Sequence, residues 1–327
     1  MGFLLFARNI ESVEQVRNLC AELAENSPFQ TPLIAVDQEG GRVQRVKFGG
    51  KLPAAKVFGA WYSENEMAAL EGAYLDGFLL AAQLRDVGAT WLLGPLVDVA
   101  NPATHAIIGD RSFSGDPQVV IALAEAYARG VKAGGCLRCL KHAPGHGRAV
   151  VDSHFELPLV EAGLDELQLD MQPFKMMAPT EDFLMTAHIR YSALDKDMPA
   201  TYSRRILDMM RHDWNFKGVI LADDVGMKAL QGSYVGRVEK SLEAGCDVAI
   251  TALSVLKHGM AGTVFDKESF DALRDAELPE LNGKAKEYLA GLTLPDAPDS
   301  NDVNAARMRL KELWADGPER LGYSLEL

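Results

Sequence analysis

LRCLKHAPGHGRAVVDSHFELP, residues 137 to 158, decides how this chain is read. Its first four residues are an apolar run that ends in Lys141 and His142, and the Pro144-Gly145 break that follows forbids a helix. A buried strand that delivers charged residues at its end, into a polar loop, is how a barrel enzyme places its active site. Within the loop, Asp152-Ser153-His154 alternates as extended chain does, so carboxylate and imidazole share one side and the acid orients and charges the ring. The plainer reading, a glycine-rich connection with solvated charges, fits poorly a short stretch with two basic residues, three imidazoles and a carboxylate.

Outward from this stretch, short β-type runs alternate with longer helical patterns, the signature of βα units. Strands are predicted at residues 3–7, 32–37, 90–99, 137–142, 183–189, 218–224 and 246–252, and helices at 13–25, 64–87, 118–133, 165–177, 203–211 and 235–244, several opened by Asp or Ser caps. The fold class expected is α/β, a TIM-type (β/α) barrel over residues 1–253. Such a barrel has eight strands and only seven are evident, so a first βα unit is expected to be missing ahead of Phe3, through a late-assigned start or a truncation. The strands at Phe3 and Cys246 would then carry unpaired edges. From Ser254 the strand pattern stops, and residues 267–276, 281–289 and 302–315 look helical, split by PDAPDSND. Residues 254–327 read as an external C-terminal helical appendage packed on the barrel.

Thirty-three basic against 46 acidic residues give a net charge of -13, which argues against nucleic acid or anionic lipid as partners. No apolar run approaches the roughly 18 residues that cross a bilayer, and MGFLLFARNI lacks the basic region and cleavage site of a secretory signal. Cys20, Cys136, Cys139 and Cys246 sit among apolar residues, as buried thiols in a reducing compartment do. Cys136 and Cys139 have CxxC spacing, yet three residues apart on a strand they face opposite sides and do not meet.

Polar residues gather at one end of the predicted strands: Asp37, Asp98, Lys141 with His142, His188, and Asp223 with Asp224. Together they describe a pocket at the carboxyl face of the sheet. In GVILADD, strand alternation points one of the two final acids inward, where neighbouring basic residues keep it ionised as a nucleophile toward a sugar's anomeric carbon. Asp224 reads equally well as a cap facing the helices. His154, supported by Asp152, suits protonation of the leaving oxygen. The paired glycines of DQEGGRVQR lack a following Lys-Ser/Thr and make a poor phosphate loop; Arg111 in IGDRSF adds another loop guanidinium.

DQEGGRVQR, IGDRSF, KHAPGHGRAVVDSHFELP, MTAHIRYSALD and LADDVGMKAL, in this order, resemble the bacterial β-N-acetylhexosaminidases of glycoside hydrolase family 3 that act in cell-wall recycling. The resemblance covers roughly residues 3–253. It implies a cytoplasmic hydrolase without metal or organic cofactor, acting on a small carbohydrate: terminal β-linked N-acetylglucosamine on muropeptide fragments with anhydro-N-acetylmuramic acid. A monomer is expected. By resemblance the nucleophile falls on Asp223 and the acid/base on His154 with Asp152 as its partner; Asp37, Arg111, Lys141 and His142 would contact the sugar, and Arg45 and His146 would support the pocket. Two positions depart from the family's habit: Ala222 stands where Ser is common and Ala143 where a bulky aromatic is.

Three alternatives stay open. A phosphorylase on the same scaffold would use a His acid/base to spare incoming phosphate the repulsion of a carboxylate. A metal-dependent hydrolase would use His142, His146, His154 and Asp223. A truncated, inactive sugar-binding protein would bind without turnover.

Overall fold

The computed structural model describes residues 2–256, 263–281 and 283–327. Seven parallel strands form one sheet in sequence order: β1 (Phe3–Leu5), β2 (Ile34–Val36), β3 (Trp91–Leu92), β4 (Leu137–Ala143), β5 (Phe183–Thr186), β6 (Val219–Ala222) and β7 (Val248–Ala249). The pairing register runs from Leu4 against Ala35 to Leu221 against Val248. Each crossover carries helix, as parallel neighbours require: α1 (Val13–Glu25), α2 (Ala55–Tyr62) and α3 (Glu66–Asp86), α4 (Pro117–Ala133), α5 (Leu164–Met177), α6 (Arg204–His212) and α7 (Tyr234–Ala244).

The expected TIM-type barrel is corrected by this sheet, which is open. Among the described residues no strand joins β1 to β7, and the sheet curls into a half-barrel with those two as its edges. Closure needs enough strands for tilt and stagger to return the last to the first, and seven here stop short. The seam holds a cavity of about 120 Å³ lined by Gly2, Phe3 and Leu4 on one side and Val248 and Ile250 on the other.

Strand alternation sorts the core into two layers. Leu33, Ala35, Trp91, Leu93, Leu137, Cys139, Phe183, Met185, Val219 and Leu221 pack together on the concave face, with the Trp91 and Phe183 rings 4.1 Å apart. Ile34, Val36, Leu92, Leu140, Leu184, Ile220 and Ala222 pack on the helices. Both faces are covered, which explains strands that are apolar throughout. The C-terminal helices reach both layers. Ala285 and Leu289 of α9 (Gly283–Gly291) are buried in the concave cluster, while Trp314 of α10 (Ser300–Asp316) meets Phe58 and Trp61 of α2 edge-on, each at 6.4 Å. The appendage expected to be external therefore fills part of the concave interior. The strand pattern also continues past Ser254, as an antiparallel ribbon of Ser254–Leu256 with Thr263–Phe265 ahead of α8 (Lys267–Asp275).

Helix starts follow the predicted chemistry: Ser12, Asp116, Ser203 and Ser233 accept amide bonds from the first turns of α1, α4, α6 and α7. α3 and α4 approach so closely that a Cβ on Gly77 would strike the Tyr127 carbonyl, and one on Gly130 the Tyr74 carbonyl. Cys136 donates to the Ala81 carbonyl on the helical side, whereas Cys139 lies in the concave cluster, so the CxxC pair is split across the sheet. All four cysteines are free and buried.

Candidate active site

The carboxyl ends of the strands open into a cavity of about 400 Å³. Asp37, Arg45, Arg111, Lys141, His142, His146, His154 and Asp223 all line it, so the predicted residues meet in one place. Asp152 stands behind His154 rather than on the wall.

Lys141, at the end of β4, has a buried side chain whose Nζ reaches Asp37 Oδ1 at 2.8 Å and Glu39 Oε1 at 2.5 Å. Glu39 also takes a bidentate pair from Arg111, Nε to Oε2 at 2.7 Å and Nη2 to Oε1 at 2.8 Å. Burial works to raise the Glu39 carboxyl, but Arg111 and Lys141 more than offset it and hold the group far below the usual carboxylate range. Two cations are thereby fixed against one carboxylate. The loop bearing these acids is pinned from below by amides: Gln38 Oε1 accepts from the Arg45 and Val46 N–H groups at 2.9 and 3.0 Å.

Asp98, fully buried after β3, orients the imidazoles. Its Oδ2 lies 2.9 Å from His142 Nδ1, and its Oδ1 accepts the backbone amides of His142 at 3.2 Å and His146 at 2.6 Å. Burial opposes its charge, yet the His142 hydrogen bond carries its pKa below the ordinary value. His142 thus presents Nε2 as its remaining ring nitrogen. His146 is different: burial drives its pKa down to about 4, and its Nδ1 is buried without a hydrogen-bond partner.

β6 ends at Ala222 and delivers Asp223, whose Oδ1 accepts the Asp224 amide at 2.7 Å. Burial favours the acid form, but His142, His188, that amide and His154 together lower its pKa, so Asp223 is a carboxylate at neutral pH. Asp224 is spent on structure: its Oδ1 accepts from the Gly226 and Ala252 amides, both at 3.0 Å, and from Tyr234 at 3.3 Å. His188, after β5, is also tied down, between Thr201 Oγ1 at 2.7 Å and the Asp224 carbonyl at 3.1 Å.

The loop after β4 returns to the cavity rim. The Lys228 and Ala229 amides donate to the carbonyls of His154 at 3.3 Å and Ser153 at 3.2 Å, which docks the loop beside the exit of β6. Asp152 Oδ1 accepts the His154 amide at 2.9 Å and lies 2.7 Å from its Nδ1. The half-exposed imidazole is thus fixed as the tautomer whose other nitrogen is free at the cavity. An ionised carboxylate and an acid-supported imidazole lining the same cavity can perform displacement at an acetal carbon with proton transfer to the departing oxygen.

No group of three His, Cys, Asp or Glu among the described residues is arranged to hold an ion; His142 and His154 each commit a ring nitrogen to an aspartate instead. Sequence reading missed Glu39 and underused Asp98. A signal for the first existed: two basic residues bound for one buried pocket require an acid between them.

The sequence profile of the glycosyl hydrolase family 3 N terminal domain matches residues 1–269, and the chain belongs to this family. It is an enzyme, a glycoside hydrolase of the β-hexosaminidase group. A protein named β-hexosaminidase from Stenotrophomonas maltophilia (strain R551-3) is 40% identical over 255 residues, 76% of this chain and 75% of its own. Another, from Thioalkalivibrio sulfidiphilus (strain HL-EbGR7), is 35% identical over 319 residues, 95% of this chain and 89% of its own. Among solved structures, native NagZ from Neisseria gonorrhoeae aligns with a TM-score of 0.81 at 33% identity, covering 97% of this chain and 90% of that one. The same protein in complex with N-trifluoroacetyl-D-glucosamine aligns at 0.80 with 32% identity, over 95% and 89% of the two chains.

Proposed function

We propose that this enzyme removes terminal β-linked N-acetylglucosamine by two displacements, with Asp223 as nucleophile and His154, oriented by Asp152, as acid and then base. The observation that carries this reading is the pair of groups lining one cavity: an ionised Asp223 and an imidazole whose inner nitrogen is committed to Asp152 at 2.7 Å. In the first step Asp223 bonds to the anomeric carbon while the glycosidic bond breaks and His154 gives its proton to the leaving oxygen. In the second, His154 takes a proton from water, which displaces Asp223 and restores the β configuration. Asp37, Lys141, His142 and Arg111 hold the sugar.

The aglycone proposed is an anhydro-N-acetylmuramic acid unit, with or without peptide. Arg45 supports it: Arg42 and Arg111 are paired with Asp110 and Glu39, whereas Arg45 lines the cavity with no acidic partner among the described residues, which leaves its guanidinium for a carboxylate. Action as a monomer in the cytoplasm belongs to the same proposal, and four free thiols suit a reducing compartment.

His154→Ala tests the acid role. It is expected to slow poor leaving groups by about 10²-fold or more and activated aryl glycosides far less; equal losses would remove His154 from proton transfer. A phosphorylase remains the rival on this scaffold. Free N-acetylglucosamine as product in phosphate buffer supports hydrolysis, and sugar 1-phosphate formed only there would replace it.

A further inference from the structure

A separate cavity of about 610 Å³ lies between α1, α3 and the entry to α10, and shares no lining residue with the catalytic one. Phe48, Leu79 and Val303 give it an apolar wall, and Arg17, Arg85 and Arg307 face it as cations. Arg17 is spent on Asp86, Nη2 to Oδ1 at 2.6 Å. Arg85 and Arg307 have no acidic partner among the described residues, and the Nε of each is buried without a hydrogen-bond acceptor. Three guanidiniums against the single carboxylate of Asp86 leave two positive charges uncompensated in one recess.

This is a chain with 46 acidic and 33 basic residues, in which carboxylates to neutralise an arginine are plentiful. Buried and half-buried cations are ordinarily paired, and two guanidiniums that line one cavity without a carboxylate partner among the described residues can take an oxyanion from outside the chain through their terminal N–H groups. A guanidinium presents paired N–H groups that match the oxygens of a phosphate or carboxylate. The apolar wall and the volume call for an organic body attached to that oxyanion rather than a bare ion.

We propose that this cavity binds a small organic oxyanion, a phosphate ester or a carboxylate, through Arg85 and Arg307. Calorimetric titration of the full chain with glucose 6-phosphate and with citrate, against glucose at matched ionic strength, tests it, and the tighter of the two identifies the class of ligand. Arg85→Gln and Arg307→Gln are each expected to weaken that binding about tenfold or more, since a charge-assisted hydrogen bond is lost. Arg45→Gln, in the catalytic cavity, is expected to leave it unchanged. Absence of binding by both anions, affinity in either arginine variant equal to that of the parent chain, or loss of binding in Arg45→Gln would each overturn the proposal. Circular dichroism spectra of the variants that match the parent chain confirm that the comparison is between folded proteins.

Discussion

Glu39→Gln removes the one charge that Lys141 and Arg111 share. The glutamine keeps the shape but offers one acceptor oxygen where three cationic donor contacts, at 2.5, 2.7 and 2.8 Å, now converge on two, and its amide group faces donors. Removing one partner from a buried charged cluster costs about 3 kcal/mol or more. With an unfolding entropy of roughly 2.1 cal/mol/K per residue, such a loss lowers the melting temperature of a chain this long by about 4 °C. The sign with pH is fixed by the depressed Glu39 carboxyl: its contribution is present above the ordinary glutamate pKa of about 4.3 and is lost as pH falls below it. Urea unfolding of both proteins from pH 8 down to pH 4 therefore shows a constant gap above about pH 5.5 that narrows on acidification. A variant as stable as the parent at pH 7, or a gap that widens toward acid, would refute the buried cluster as the support of Lys141.

Other outcomes follow from single features. His146, with its pKa pushed down to about 4 by burial, is neutral when folded; its contribution is whole above pH 6.5 and is lost as pH falls, by about 2 kcal/mol between pH 7 and 5. His146→Gln should abolish that part of the pH dependence in urea unfolding. Gly130→Leu drives a side chain into the Tyr74 carbonyl of α3 and is expected to cost about 1–3 kcal/mol, measured by thermal unfolding, with the site chemistry unaltered in the folded fraction.

Strand order and the helices between the strands were legible because parallel strands buried on both faces leave continuous apolar runs. Their lengths were not. The run at 90–99 is strand only at Trp91–Leu92; beyond Pro95, which has no amide to donate, contact with the sheet resumes as a bridge from Leu96 to Lys141. The helix Ala55–Tyr62 escaped notice because AKVFGAWY is aromatic and broken by glycine; burial of Phe58 and Trp61 holds it, and burial is not a local signal. The barrel class was overread, although the unpaired edges expected at the Phe3 and Cys246 strands are those of the open sheet: whether two edge strands meet depends on the whole sheet, and alternation along any one strand is silent on it. The site was read through its loops, where charge stands out, while Glu39 looked like one more polar residue until Arg111 arrived from 72 positions away.

Mass spectrometry of the chain after reaction with a slow fluorinated N-acetylglucosamine donor bears most directly on the nucleophile. One sugar attached to the peptide containing Asp223, and its absence from Asp223→Asn, is the expected result. A label on Asp224, His154 or any other residue, or inactivation without a covalent adduct, would contradict attack by Asp223.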